Sequence, residues 1–155
     1  FLIREVKDGV VTPHLAQSKP GDYLEVAGPF GEFCLDELQV ESKRYVFIAS
    51  GTGIAPFRSF VKTFPNLDYV LFHGVRHEDE CYGRTDFEPD LYIPAISRPN
   101  GVAQRQRVTD VLVNADLATD SLYYLCGNRM MITDVIALLR QRNIPGGSIY
   151  TESFF

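Results

Sequence analysis

The amino-acid sequence predicts an α/β protein: a doubly wound, mostly parallel sheet that follows a short all-β opening stretch. Continuous apolar runs recur along the chain, Tyr45 to Ala49 (YVFIA), Tyr69 to Phe72 (YVLF), Tyr92 to Ile96 (YIPAI) and Leu122 to Leu125 (LYYL). Such runs are the texture of strands buried on both faces. Helix-like segments lie between them, Ala55 to Thr63, Val108 to Val113 and Met130 to Arg142, and strands that alternate with helices pair in parallel through crossovers. Ahead of Tyr45 the segments are instead short, alternating and broken by glycine and proline.

Each element has a local reason. Phe1 to Val6 (FLIREV) sets apolar Phe1, Ile3 and Val6 around Arg4 and Glu5 and reads as a strand, with Asp8-Gly9 as its turn and Val10-Val11 as the return. Thr12-Pro13 opens a short helix, Thr12 as cap and Pro13 at the first helical position. Pro20-Gly21-Asp22 is a second turn, Tyr23 to Ala27 (YLEVA) a second alternating strand, and Gly28-Pro29 and Gly31 end it. Leu35 to Arg44 is polar and mixed and reads as a linker. Pro94 fits a central strand poorly. In the last helix Met131, Val135, Leu138, Leu139 and Arg142 recur at helical spacing, with Gly146-Gly147 just beyond.

Composition narrows the function. The chain has 155 residues, 45% hydrophobic and 23% charged, which fits one globular domain, or one domain with part of another, and excludes disorder over most of the length. No run approaches the ~18 apolar residues a membrane helix needs. A net charge of −5 disfavours nucleic acid and anionic membranes as partners, so any basic site must be a local cluster. Cys34, Cys81 and Cys126 form no CxxC pair, which removes the usual zinc and iron–sulfur spacings; so sparse and odd a count suits reduced thiols in a cytoplasmic protein. His14, His73 and His77 make no ligand spacing on a helix, and no metal site is expected. No signal-peptide pattern is present. No Met opens the chain, and Phe1 already lies in an alternating run, so further chain is expected ahead of it.

Four features carry chemistry. Ser50-Gly51-Thr52-Gly53-Ile54-Ala55-Pro56 follows the YVFIA strand directly. Ligands of α/β sheets bind beyond the carboxyl ends of strands, where glycines admit a pyrophosphate to the backbone and the next helix aims N–H groups at it. The third glycine of the common dinucleotide fingerprint is replaced by Pro56, and no Gly-Lys-Ser/Thr follows. The glycines alone fit an ordinary strand–helix turn equally well. Cys126-Gly127-Asn128 follows LYYL, so its thiol faces the same crevice, either as a reactive group or as a small buried residue. Arg76, Arg98, Arg105 and Arg107 follow the second and third strands; a cationic cluster there suits the 2′-phosphate of NADP, where a carboxylate would suit NAD. Finally, Phe154 and Phe155 end the chain beside Glu152. Two phenylalanines make poor surface residues, so they pack on a flavin, a neighbouring domain or the core, with Glu152 as a proton donor or orienting group. No Ser–His–Asp arrangement is suggested; Ser50 and Ser59 read as cap or loop residues.

Taken in order, these pieces resemble the ferredoxin–NADP reductase family, most closely its bacterial branch. The resemblance rests on Gly9-Val10-Val11-Thr12-Pro13-His14-Leu15, Pro20-Gly21-Asp22, Gly28-Pro29-Phe30-Gly31-Glu32-Phe33, GTGIAPF from Gly51, HGVR from His73, Ser97-Arg98, Cys126-Gly127-Asn128 with Met131, and Glu152-Ser153-Phe154-Phe155. It covers essentially the whole chain. The resemblance implies a remnant of an antiparallel FAD-binding β-barrel over residues 1–43 and a five-stranded, doubly wound NADP-binding α/β domain over residues 44–155. It implies that Thr12 contacts the FAD pyrophosphate, that Gly51, Thr52, Gly53 and Pro56 frame the NADP pyrophosphate and nicotinamide, and that Arg76, Ser97, Arg98 and Arg107 hold the 2′-phosphate. Cys126, with Gly127, Asn128 and Met131 around it, places the nicotinamide against the flavin; Glu152 lies near hydride transfer, and Phe154 or Phe155 lies on the flavin or its adenine. The family's Arg-x-Tyr-Ser flavin motif is not in this chain, so a fragment that does not hold FAD tightly by itself is expected.

The activity so implied is an FAD-dependent oxidoreductase that moves a hydride between NADP(H) and flavin and exchanges single electrons with ferredoxin or flavodoxin. Two alternatives stay open: an NADH-linked flavin reductase or electron-transfer component of the same superfamily, and a nucleotide-binding module without turnover. A dehydrogenase without flavin is disfavoured by the missing third glycine and the barrel-like opening strands. Oligomeric state is not readable from the sequence.

Overall fold

The structure, a computed structural model, describes residues 1–28, 30–100 and 104–154. Pro29, within the Gly-Pro-Phe-Gly motif, and Phe155, a candidate flavin contact, lie outside the described residues. The chain divides into two compact units, Phe1–Glu32 and Phe33–Phe155.

In the first unit the one regular element among the described residues is helix α1, Thr12–Ala16. The expected strands at Phe1–Val6 and Tyr23–Ala27 are not formed. Their alternation is present but no neighbouring ladder is, and an extended segment without a partner leaves its N–H and C=O groups to solvent. The first turn is where the sequence puts it, closed by the Gly9 N–H on the Val6 carbonyl at 2.7 Å. Val11, not Thr12, is the N-cap of α1. The Thr12 hydroxyl instead folds back to accept the Val6 N–H at 2.8 Å.

The second unit holds a five-stranded sheet, β1 Tyr45–Ser50, β2 Tyr69–Val75, β3 Tyr92–Ile96, β4 Leu122–Asn128 and β5 Ile149–Phe154, in the order β3-β2-β1-β4-β5. Every pairing is parallel. Helices α2 Ala55–Thr63, α3 Val108–Val113 and α4 Arg129–Gln141 supply three of the four crossovers, and short 3-10 turns at Glu78–Glu80 and Arg84–Asp86 lie on the path from β2 to β3. The four apolar runs seed β1 to β4. The fifth strand falls on the Tyr-Thr-Glu-Ser-Phe tail, which is polar and largely exposed because β5 is an edge.

One face of the sheet packs α3 and α4 on aliphatic side chains: Val46, Ile48, Val70 and Leu125 meet Leu112, Val135 and Leu139. The other face packs α2 on rings. Phe47 stacks on Phe57 at 4.7 Å between centroids and Tyr124 on Tyr150 at 4.5 Å, with Phe33 and Phe60 closing around Tyr124. Helix α4 ends where Asn143 takes a left-handed φ of 60°, with the Asn143 N–H on the Arg140 carbonyl and the Ile144 N–H on the Leu139 carbonyl, the paired bonds that satisfy a helix terminus. Pro94 is tolerated because β3 is the other edge. The Leu91 carbonyl and the Ser97 N–H both bond to β2, so by alternation Pro94 turns its donorless nitrogen outward.

Candidate functional site

Strand order reverses between β1 and β4: β2 and β3 extend from one side of β1, β5 from the far side of β4. A reversal of this kind opens a crevice at the carboxyl ends of the two central strands. The two glycine motifs of the sequence stand there. Beyond β1, Gly51–Ile54 forms a tight 3-10 turn that runs into α2, with no side chain capping its first N–H groups. At the end of β4, Gly127 and Asn128 lead into α4.

The two turns touch through their backbones. A Cβ on Gly53 would stand 2.2 Å from the Cys126 carbonyl oxygen, and one on Gly127 would stand 2.4 Å from the Ser50 Oγ. Neither position admits a side chain. The Asn128 N–H donates to the Ser50 Oγ at 2.8 Å, which ties the two strand ends together. Gly51 differs: its φ is +53° and no heavy atom lies within 4 Å of where a Cβ would be. Helix-start N–H groups without a side-chain cap suit an anion such as a pyrophosphate, and a bare Gly51 leaves room beside them.

Across the sheet, Pro94, His73, Ala49, Cys126 and Glu152 stand in register, one from each strand. By strand alternation the last four side chains share the ring-lined face with Phe47, Tyr124 and Tyr150. Cys126 has no exposed surface. Burial, and secondly the Glu152 carboxylate, push its thiol up to about 12, so it is a neutral thiol rather than a nucleophile at pH 7. His73 is equally buried; its Nε2 lies 2.8 Å from the Gly51 carbonyl oxygen and its Nδ1 2.8 Å from the Tyr92 hydroxyl.

The arginines fall on the adjoining rim, past β2 and β3. The Arg98 N–H bonds the Arg76 carbonyl at 2.7 Å, and the Gln106 N–H bonds the Ile96 carbonyl at 2.9 Å, which returns Arg107 to the end of β3. The Ser97 hydroxyl donates to the Val75 carbonyl. Arg76 is engaged by Glu80, whose carboxylate accepts the Arg76 N–H at 2.9 Å and lies 3.7 Å from Nε.

The structure thus brings together Gly51, Thr52, Gly53, Pro56, Cys126, Gly127, Asn128 and Glu152, and beside them Arg76, Ser97, Arg98 and Arg107. Two candidates have other employment. The Asn128 side chain caps α4, accepting the Met130 and Met131 N–H groups at 2.9 and 3.4 Å. Met131 packs against the aliphatic cluster on the opposite face. Phe154 ends β5, exposed, in register with Asn128. Thr12 belongs to the first unit. Sequence reasoning missed Ser50, read only as a cap or loop residue, and missed His73 and Tyr92. The sequence reading uses His73 only within the HGVR motif and as a metal ligand that is not expected, although its place in a buried strand, just ahead of Gly74, signals a structural task for its ring.

A parallel sheet with an uncapped glycine turn at its strand-order reversal defines a nucleotide-binding α/β domain. Residues 47–136 match the family model of the oxidoreductase NAD-binding domain, and the chain belongs to that family. It is 30% identical over 172 residues to the phenol hydroxylase P5 protein of Acinetobacter pittii, covering 98% of this chain and 48% of that protein. It is 28% identical to a component of the Na(+)-translocating NADH-quinone reductase of Actinobacillus pleuropneumoniae, covering 97% of this chain and 41% of that component. An Amycolatopsis cytochrome P450 reductase superposes with a TM-score of 0.83 at 26% identity, over 98% of this chain and 50% of that one. The chain spans about half the length of the curated relatives it matches. Among the described residues no helix is long and apolar enough to cross a membrane.

Proposed function

We propose that this chain is the nucleotide-binding part of an FAD-dependent oxidoreductase that moves a hydride between NADP(H) and flavin and exchanges single electrons with a ferredoxin or flavodoxin. The observation that carries this reading is the backbone meeting of the Gly51–Gly53 turn with Cys126-Gly127 at the strand-order reversal. The N–H groups of the turn bind the pyrophosphate, and Pro56 holds the helix start behind them. Cys126 offers the nicotinamide a small, neutral, desolvated surface, and Glu152 on the next strand orients the ring or handles a proton. Chemistry at such a site depends on holding reacting atoms within roughly 3–3.5 Å, and residues anchored on three strands are suited to that. A bound flavin supplies the conversion between two-electron and one-electron transfer; Thr12 and the terminal Phe154 and Phe155 are its proposed contacts. Three cysteines, sparse and without a CxxC pair, accord with a reducing, cytoplasmic setting.

Choice of NADP rests on Ser97, Arg98 and Arg107 converging past β3. A second reading, NADH, is favoured by one observation: Glu80 already occupies Arg76, within an acidic turn Glu78–Glu80 on the same rim. The named NADH-quinone reductase relatives accord with it. Comparing kcat/KM for NADPH and NADH in the intact protein, with an artificial electron acceptor, separates the two. Arg98→Ala is expected to lower kcat/KM for NADPH by about tenfold, ~1.4 kcal/mol, and to leave NADH nearly unchanged. Equal losses remove the reason for choosing NADP, and absence of any turnover leaves only the non-catalytic module.

A further inference from the structure

A buried imidazole needs a partner at each ring nitrogen, and His73 has both, at 2.8 Å each. The partners fix its tautomer. The Gly51 carbonyl can only accept, so Nε2 carries the proton and Nδ1 the lone pair. Nδ1 must then accept, and the Tyr92 hydroxyl donates to it. A one-way chain of donors runs from Tyr92 through His73 to Gly51. Burial, the largest influence, holds the His73 ring down at about 4 against the opposing pull of the Gly51 carbonyl and the Glu80 carboxylate, so the imidazole is neutral and the chain keeps its direction at neutral pH.

What lies at the end of this chain is a peptide of the glycine turn. The C=O and N–H of a trans peptide point in opposite directions across a rigid plane. Anchoring the Gly51 carbonyl inward on His73 therefore turns the Thr52 N–H outward. We propose that His73, oriented by Tyr92, is a positioning residue for dinucleotide binding, which holds the Gly51–Thr52 peptide so that its N–H meets the pyrophosphate. This rests on the nucleotide reading of the turn and adds to it a part of the molecule that touches no ligand: the second and third strands set the anion cradle of the first.

Calorimetric titration of the intact protein with NADP+ and with NAD+, alongside thermal unfolding and the imidazole nitrogen resonances, tests it. His73→Met fills the space but removes the donor, and is expected to weaken whichever nucleotide the wild type binds by about tenfold, ~1.4 kcal/mol. His73→Gln returns an amide N–H near the position of Nε2 and is expected to recover affinity to within about threefold. Tyr92→Phe keeps the ring against His73 and Phe87 and is expected to weaken binding about threefold; with His73→Gln it carries the comparison even where methionine impairs folding. Wild-type affinity in His73→Met, equal weakness of the methionine and glutamine variants, or a proton on Nδ1 in the wild type overturns the proposal. A wild type that binds neither nucleotide overturns the nucleotide reading of the turn, and this inference with it.

Discussion

Against α3 and α4 the sheet presents aliphatic side chains; against α2 it presents rings. The first face needs only volume and burial, because aliphatic carbon asks for no direction. On the second, the tyrosines carry a polar tip that can take a partner outside the sheet. The Tyr124 hydroxyl donates to the Cys34 carbonyl and the Tyr69 hydroxyl accepts the Glu88 N–H, so the ring face dictates where the flanking loops run. His73, Cys126 and Glu152 lie on that same face at its carboxyl end. The lesson is a division of labour: one face holds the sheet together, and the other holds it together while fixing polar atoms in space.

Substitutions that separate the two duties test the division. Gly53→Ala should have the largest effect, since its Cβ would stand 2.2 Å from a backbone oxygen held by two strands. We expect a loss of about 4 kcal/mol in unfolding free energy, with nucleotide binding abolished, by denaturant titration and calorimetry. Leu139→Ala, on the aliphatic face, should cost about 3 kcal/mol yet leave KM for the nucleotide unchanged in the folded fraction; a raised KM would show that the faces are not separable. The third effect is pH-dependent. The folded pKa of His73, about 4, lies below the usual 6.5, so as pH falls the unfolded chain takes up the proton first. Stability from this group is complete above pH 6.5 and is lost as pH falls through about 4, by at most ~3 kcal/mol. Chemical denaturation across that window should show a slope that His73→Gln reduces. Cys126→Ser should have the smallest effect, slowing stopped-flow flavin reduction in the intact protein by about tenfold with nucleotide affinity little changed.

The aliphatic face and the central strands were legible because burial on both sides writes an unbroken apolar run. The site was legible as far as its glycines, since Gly53 and Gly127 are forced by a contact that no other residue permits. Strand β5 was not legible. An edge strand with exposed side chains has no apolar signature, and Tyr150-Thr151-Glu152-Ser153 reads as a tail until its pairing with β4 is known. The opening strands failed in the converse way: FLIREV and YLEVA have the right alternation, but alternation makes a strand only where a partner takes its hydrogen bonds. The role of His73 was hidden for a third reason. Its partners lie 22 and 19 residues away at Gly51 and Tyr92, and no local spacing announces a hydrogen bond across three strands.

Pro94 has a consequence of its own. A sheet margin normally offers a fresh chain a comb of alternating donors and acceptors, and here the tooth in the middle is missing. The next carbonyl along, that of Ile96, is already taken by the Gln106 N–H. The lamella therefore cannot grow past β3 by templating a sixth ribbon, and two molecules cannot zip together through that border.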